Sequence, residues 1–570
     1  MVWRSKVGTE LRTGVFVCHC GINIAGVLDI EDLCEYAEIL PDVATVQANL
    51  FTCAETGTSE IKNAIKEHGL NRVVVAACTP RTHEPIFRAA CEEAGINPYF
   101  FEMVNIREHC SWVHRHEREA AQAKARDLIR MAVAKSSFLL PIDKFRSKVE
   151  PKALIIGAGI AGMTSALALA NQGFGVILLE KDAEMGGLLR HLHKVAPTDV
   201  PATELIREKI EAINNNARIQ PFTSAVLEEV TGYIGNYTVR FSCGDESHTD
   251  KVGAVIVATG GVPLEPVDLY NYDGKQVITQ SELETKLKEG DIDAKSIVMI
   301  QCVGARIPER NYCSRICCMV AIKNSLHIKE IVKDAKIFVL FRDIQAYGVE
   351  NEALFLKAKE AGVRFIRYSL ESPPVVEDGK VKIYHAAMGK EVPLPADLVV
   401  LSTPIVAHED AEAVSKILKV PVDGHKFFLE AHAKLSPLDF ATNGMYLCGN
   451  AHYPATVREA IYQALGAASR ASMVLSHDTI ERVGTVAAVS EELCSSCFAC
   501  VKVCPYKVPR MNERGKATIE PMQCQGCGIC VAECPAEAIQ FGYISDEQIL
   551  AACDALRPPP ETGAEINEQL

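Results

Sequence analysis

The sequence predicts an α/β protein with doubly wound parallel sheets, and three observations predict it. The first is a series of short apolar runs that read as buried strands: Gly14–Cys18, Arg72–Ala77, Ala153–Ile156, Gly175–Leu179 and Ser296–Ile300. The second is that Ala153–Ile156 runs into Gly157-x-Gly159-x-x-Gly162 and a helix of small residues, followed by a strand that ends at Glu180. The third is cysteine usage: 22 cysteines, gathered into groups with metal-ligand spacing.

The glycine pattern stands in the strand–turn–helix–strand context that a dinucleotide site requires. Gly157 makes the tight turn, Gly159 lets backbone approach a pyrophosphate, and Gly162 lets the helix lie close on the strand. The helix then opens toward the phosphates at Ile160 and Ala161. Glu180, followed by Lys181, is placed to accept from a ribose hydroxyl. Two later stretches choose between flavin and nicotinamide. Val255–Gly261 (VIVATGG, with Ala258, Thr259 and Gly260) looks like the ATG strand of flavoprotein disulfide reductases. Gly444–Asn450 (GMYLCGN) looks like their late strand, with Gly449 kept and Asn450 where Asp is usual. Glu184–Arg190, with Gly187 and Leu188, resembles the Gly-Gly segment that passes the flavin. Together these marks resemble the thioredoxin-reductase-like FAD family, and the resemblance implies FAD.

Length and composition set the frame. A chain of 570 residues expects three or four domains, and 48% apolar residues supply their cores. A net charge of −14 argues against nucleic acid or an anionic membrane as partner. No signal peptide or spanning segment is visible, so a cytoplasmic protein is expected, with cysteines kept as thiols or ligands rather than disulfides.

Residues 1–145 are expected to form an N-terminal α/β iron–sulfur domain. Helices are expected over Ile30–Leu40, Thr58–His68, Glu84–Ala94 and Glu117–Ala134. Cys18, Cys20, Cys53 and Cys78 fall where strands end, and Cys110 follows the run Pro98–Met103. Strand C-termini converge on the ligand crevice of such a sheet, so four of these five could hold one cluster. The competing reading is thiols packed as small hydrophobes. Cys34 and Cys91 lie inside helices and read as core.

Residues 146–485 are expected to form the FAD domain, with 291–395 in the position of a nucleotide subdomain. There the turn after Ser296–Ile300 reads Cys302-Val303-Gly304-Ala305-Arg306-Ile307. A cysteine replaces the first glycine and Ile307 a small packing residue, so nicotinamide binding is expected to be lost. Cys313, Cys317 and Cys318 follow, and with Cys302 they make a second candidate cluster set. A redox disulfide competes with that reading.

Residues 486–545 carry Cys494-x2-Cys497-x2-Cys500-x3-Cys504-Pro505 and then Cys524-x2-Cys527-x2-Cys530-x3-Cys534-Pro535. This is the bacterial two-cluster ferredoxin spacing, in which the fourth cysteine of each run serves the other cluster. It assigns Cys494, Cys497, Cys500 and Cys534 to one [4Fe–4S] cluster and Cys524, Cys527, Cys530 and Cys504 to the other. Tetrahedral zinc sites do not use this triple spacing. Residues 546–570 form a tail, expected to be flexible from Arg557.

Four motifs resemble the A-type subunits of heterodisulfide reductase across almost the whole chain. They are Cys18-His19-Cys20-Gly21-Ile22-Asn23, Ala77–Pro85 (ACTPRTHEP), Asn105–His114 (NIREHCSWVH) and Cys313-Ser314-Arg315-Ile316-Cys317-Cys318. The resemblance implies an oxidoreductase component carrying FAD and several [4Fe–4S] clusters. Its flavin would split or merge electron pairs between a ferredoxin-type low-potential carrier and a higher-potential acceptor. It implies B- and C-like partner subunits, a hydrogenase- or formate-dehydrogenase-linked small iron–sulfur subunit, ferredoxin, and a homodimer within a larger complex. It also implies that Lys323 lies near the reactive edge of the flavin and tunes it. The chain departs from methanogen members, whose FAD domain often carries an extra ferredoxin insert: between Arg190 and Val255 it has only Cys243. The competing readings are a non-bifurcating FAD/iron–sulfur relay component of a reductase and a wiring scaffold.

Overall fold

The computed structural model describes residues 10–142, 144–483, 485–542 and 544–556. The expected flexible tail from Arg557 lies outside them. The chain divides into two compact units, one comprising the described residues of Met1–Phe145 and Glu481–Leu570, the other Arg146–Ile480.

The first unit is centred on a parallel sheet in the order Val43–Asn49, Thr13–Cys18, Arg72–Ala77, Phe101–Asn105. Thr13–Cys18 and Arg72–Ala77 are buried at every position because helices cover both faces. Val15, Val17, Val74 and Ala76 pack with helices Ile30–Glu38 and Arg118–Ser136. The alternate residues Phe16, Val73, Val75 and Ala77 pack with Glu55–Glu67 and Pro80–Glu93. Each such fully buried valine contributes roughly 1.5–3 kcal/mol. Pro80–Glu93 starts four residues earlier than the sequence pattern indicates. Thr79 caps it, its side chain accepting from the Arg81 N–H at 3.3 Å, and Pro80 stands where no N–H is needed. The strand expected over Pro98–Met103 is Phe101–Asn105, and Cys110 lies on a π turn, Arg107–Ser111. The expected ferredoxin region packs in this same unit. Its short helices Ala499–Val503 and Ile529–Ala532 lie together, with Ala487–Val489 paired to Ile539–Phe541.

The second unit holds two five-stranded parallel sheets. The first runs Ile219–Phe222, Gly175–Leu179, Lys152–Ile156, Ala254–Val257, Met445–Leu447. Helices Ile160–Asn171 and Val457–Leu475 cross on one face, where Ala161, Ala166, Ala464, Ala467 and Ala468 permit close approach. The second sheet runs Val277–Thr279, Leu398–Leu401, Ser296–Ile300, Lys336–Phe341, Arg364–Arg367. Two of its strands therefore come from outside the expected 291–395 stretch. The segment between Arg190 and Val255 is filled by a helix, Ala202–Asn214, the sheet-edge strand Ile219–Phe222 and an antiparallel meander, Ala225–Tyr233, Asn236–Cys243 and Glu246–Val252. Among the described residues no helix is long and apolar enough to cross a membrane.

Candidate functional site: a flavin cavity and four groups of cysteines

The first sheet of the second unit ends in a cavity of about 670 Å³, the size range of cofactor sites. Gly157 turns the chain at φ 103°, and a Cβ there would meet the Ala258 carbonyl oxygen at 2.4 Å. A Cβ at Gly162 would meet the Gly157 oxygen at 1.8 Å, so the helix lies on the turn itself. Nothing stands within 4 Å of the corresponding point at Gly159, which leaves that approach open to a ligand. Glu180 is buried, with Oε2 accepting from the Ala158 N–H at 2.8 Å and Oε1 from the Asp182 N–H at 3.1 Å. Its carboxylate is thus fixed at the turn.

Gly157, Gly159, Ile160, Ala161, Glu180, Lys181, Gly187, Leu188, Ala258, Thr259, Gly260, Gly449 and Asn450 all line the cavity. Gly162 lies behind it, in the packing role. Thr259 Oγ1 is buried with no hydrogen-bond partner, a polar atom awaiting one. Two helix N-termini open on the space: Ile160–Asn171 and Val457–Leu475. Asn450 Oδ1 accepts from the Ala455 N–H at 2.7 Å and so holds the entry to the second. An orphaned hydroxyl, a turn open at Gly159 and two helix ends facing anionic groups fit a flavin dinucleotide.

Several wall residues came from segments that no motif marked. Gln280, Ser281 and Glu284 belong to helix Gln280–Glu289, while His408 and Asp410 approach from a loop. The His408 ring beside Asp410, with Lys181 next to it, holds the Asp410 carboxyl down at about 2.

Lys323 is not on the cavity wall. It is 3% exposed, and its Nζ donates to Glu284 Oε1 at 2.6 Å and to the Lys194 carbonyl at 2.8 Å. Glu284 is the residue that reaches the wall. Lys323 therefore meets the cavity through Glu284 rather than directly.

Cys302, Cys313, Cys317 and Cys318 come together: a charge on Cys302 or Cys313 acts on both Cys317 and Cys318. Burial raises the Cys302 and Cys317 thiols and pushes Cys318 up to about 11. Cys317 also lines the flavin cavity. The Arg306 guanidinium lies beside Cys302 and donates to Asp343 Oδ2 at 2.7 Å. The turn after Ser296–Ile300 differs from the one after Lys152–Ile156. In the first sheet the helix opens at Ile160, right after the glycines, whereas here residues 301–316 intervene before helix Cys317–Ile331. Leu264 fills the space over Gly304, where a Cβ would meet its Cδ2 at 2.6 Å.

In the first unit, Cys18, Cys20, Cys53 and Cys78 form a mutually interacting group. Arg107 Nη1 donates to Cys20 Sγ at 3.2 Å, and its guanidinium lies 4.7 Å over the Trp112 ring. Cys110 is not with them. Its Sγ donates to the Ala121 carbonyl at 3.0 Å, inside the core under helix Arg118–Ser136. The sequence could not separate these five; the sheet does, because the π turn aims Cys110 at the helix.

The ferredoxin-type cysteines divide into two small cavities. One is lined by Cys494, Cys497, Cys500 and Cys534, the other by Cys504, Cys524, Cys527 and Cys530. Among the described residues no three His, Cys, Asp or Glu side chains close on a single-ion site. Cubane clusters instead hold their thiolates apart around several irons.

Residues 493–538 match the family model described as a 4Fe-4S dicluster domain, and residues 151–303 match pyridine nucleotide-disulphide oxidoreductase. The first of two iron-sulfur A-type subunits of CoB–CoM heterodisulfide reductase from Methanopyrus kandleri is 37% identical, over 96% of this chain and 98% of that one. The A-type subunit of the H(2):CoB-CoM heterodisulfide,ferredoxin reductase of Methanothermobacter marburgensis is 33% identical, over 97% and 98%. The crystal structure of T. acidophilum thioredoxin reductase is matched at TM-score 0.40 and 18% identity, over 57% of this chain and 98% of that one. The protein is an oxidoreductase that carries FAD and 4Fe-4S clusters, and the chain belongs to the family of heterodisulfide reductase A-type subunits.

Proposed function

We propose that this chain divides, or merges, electron pairs at its flavin, between a ferredoxin-type low-potential carrier and a higher-potential acceptor reached through partner subunits. The observation that carries the reading is Cys317, which belongs at once to the flavin cavity wall and to a four-cysteine group. A cluster held by that group would set a one-electron carrier against the flavin cavity. The bound flavin supplies the interconversion of two-electron and one-electron transfer.

The remaining parts follow from this chain's own residues. Gly157, Gly159 and the helix from Ile160 would hold the pyrophosphate, and Glu180 the ribose. Cys302, Cys313, Cys317 and Cys318 would hold the cluster beside the flavin, with Arg306 next to it. Cys18, Cys20, Cys53 and Cys78 would hold a second, beside Arg107, and the C-terminal runs would hold two more in the interleaved pairing. Lys323 acts on the flavin through Glu284, as a positioning and tuning residue.

The Methanothermobacter marburgensis relative is named for both a heterodisulfide and ferredoxin, which supports two acceptors of different potential. The partners proposed on this basis are B- and C-like subunits, ferredoxin and a hydrogenase- or formate-dehydrogenase-linked iron–sulfur subunit, around a homodimer in the cytoplasm. The test is a coupled assay on the complex purified with its native partners. Ferredoxin reduction should require the simultaneous presence of the higher-potential acceptor. Ferredoxin reduction at full rate without that acceptor contradicts pair splitting.

A further inference from the structure

Arg315 stands between two members of the flavin-side cysteine group, Cys313 and Cys317, and its backbone is left-handed at φ 65°. That conformation crowds a Cβ, and a residue other than glycine keeps it only where its surroundings hold it there. Two sets of contacts hold Arg315. Through the backbone, its N–H donates to Cys313 Sγ at 3.3 Å. Through the side chain, the guanidinium is ion-paired with Glu459 and donates to the Tyr347 hydroxyl at 3.0 Å. The Tyr347 hydroxyl in turn donates to the same Glu459 oxygen at 2.6 Å.

Glu459 is itself fixed. It is the third residue of helix Val457–Leu475, and its Oε2 accepts from the Thr456 N–H at 2.9 Å and the Thr456 hydroxyl at 3.1 Å, a capping box. That helix opens on the flavin cavity, where Val457 and Ala460 line the wall. At the other end of the bridge, Ser314, Ile316 and Cys317 line the same wall. Ser314 Oγ accepts from the N–H of Ile405, a further wall residue, at 3.0 Å. The residues on either side of Arg315 thus face the flavin space, while Arg315 ties their loop to a helix that faces it too.

We propose that Arg315 is a positioning residue for one-electron exchange with the flavin: it clamps the loop of the flavin-side cysteine group to the flavin-facing helix, and its N–H sets the potential of the cluster held there. Cys313 sulfur as a ligand carries negative charge, and hydrogen bonds to ligand sulfurs are among the determinants of a cluster's reduction potential. Reduction adds negative charge, so an N–H donor favours the reduced cluster and raises its potential. The guanidinium is about a third exposed, so solvent screens its charge. Its part is to anchor the strained backbone that aims the N–H at Cys313. The step served moves one electron from the reduced flavin to the cluster, oxidising the one and reducing the other, and Arg315 exchanges no proton. The proposal rests on Cys302, Cys313, Cys317 and Cys318 holding a cluster, and not on how electron pairs are divided.

The test is an EPR-monitored redox titration of the anaerobic holoprotein, with iron and FAD counted on the same samples. The flavin-side cluster is the signal absent from Cys317→Ala. Arg315→Ala loses the anchor of its left-handed backbone and should lower that cluster's midpoint with iron and FAD unchanged. The electron's distribution should move about tenfold away from the cluster, about 59 mV for a one-electron couple. Arg315→Gly adopts the left-handed backbone freely, so its N–H still reaches Cys313 for part of the time. Its shift should be smaller, about threefold in the same ratio. No shift in Arg315→Ala with its iron intact overturns the proposal, as does an equal shift in the two variants. If Arg315→Ala loses the cluster, Arg315→Gly decides: a lowered midpoint with full iron supports the proposal, and an unmoved midpoint or loss of the iron there too overturns it. Wild-type protein without those four irons fails the ligand set itself, a result distinct from full iron with an unmoved midpoint. Failure of pair splitting in the native complex would leave these midpoints as they are, so the two readings fail separately.

Discussion

Glu284 stands between Lys323 and the flavin cavity: the two are ion-paired at 2.6 Å with side chains 1% and 4% exposed, and Glu284 alone reaches the wall. The pair places a buried positive charge one residue behind the surface that the flavin meets. Breaking such a pair leaves an uncompensated charge and costs about 3 kcal/mol. If that cost falls on the reduced flavin, the two-electron midpoint of Lys323→Ala drops by on the order of 60 mV. Glu284→Gln should move it the other way. Anaerobic redox titration reads both, and an unshifted couple in both variants would remove the pair from flavin tuning.

The two ferredoxin-type cavities make a pairing prediction. Cys534→Ala should lose the same cluster as Cys497→Ala, although Cys534 lies in the other run. Cys504→Ala should lose the same one as Cys527→Ala. EPR of the reduced variants distinguishes the two signals, with FAD retained throughout. Pairing by run instead of by cavity would refute the ligand sets.

The N-terminal group makes a sharper one, because the structure separates residues that the sequence left equivalent. Cys20→Ala, which also removes the sulfur that Arg107 contacts, should lose a cluster's worth of iron. Cys110→Ala should keep that iron and lose only core packing and one hydrogen bond to the Ala121 carbonyl, about 1 kcal/mol for the bond. Iron loss in Cys110→Ala would return it to the ligand set.

NADH or NADPH alone should not bleach the flavin quickly. The second turn lacks a helix start beside it and Leu264 packs over Gly304, so a pyrophosphate has neither donors nor room. Rapid anaerobic bleaching by either nucleotide would overturn this and favour a simple relay reductase.

The glycine fingerprint and the ferredoxin runs were legible in the sequence because their spacing is dictated by backbone approach and by cluster geometry. Gly157, Gly162 and the eight C-terminal cysteines accordingly stand where the spacing puts them. The four N-terminal cysteines were legible only as strand ends. Separating Cys110 from them took the π turn at Arg107–Ser111, which no propensity announces. Glu284, His408 and Asp410 were not legible, since each reaches the cavity from a segment distant in sequence with no motif of its own. The same holds for Arg107 and Arg306: an arginine beside a thiol has meaning only once the fold brings it there. Lys323 was placed near the flavin by resemblance, and its distance from the wall was decided by Glu284, a residue that resemblance had not named.

The measurement that bears most directly on the whole account is the iron-to-flavin ratio of the anaerobically purified chain. One cavity for FAD and four separate groups of four cysteines give about sixteen irons per flavin. A ratio near sixteen, with one FAD per chain, is the expected result. A ratio near eight would leave only the ferredoxin clusters and contradict the clusters assigned to Cys317 and Cys20, and with them the one-electron exit beside the flavin.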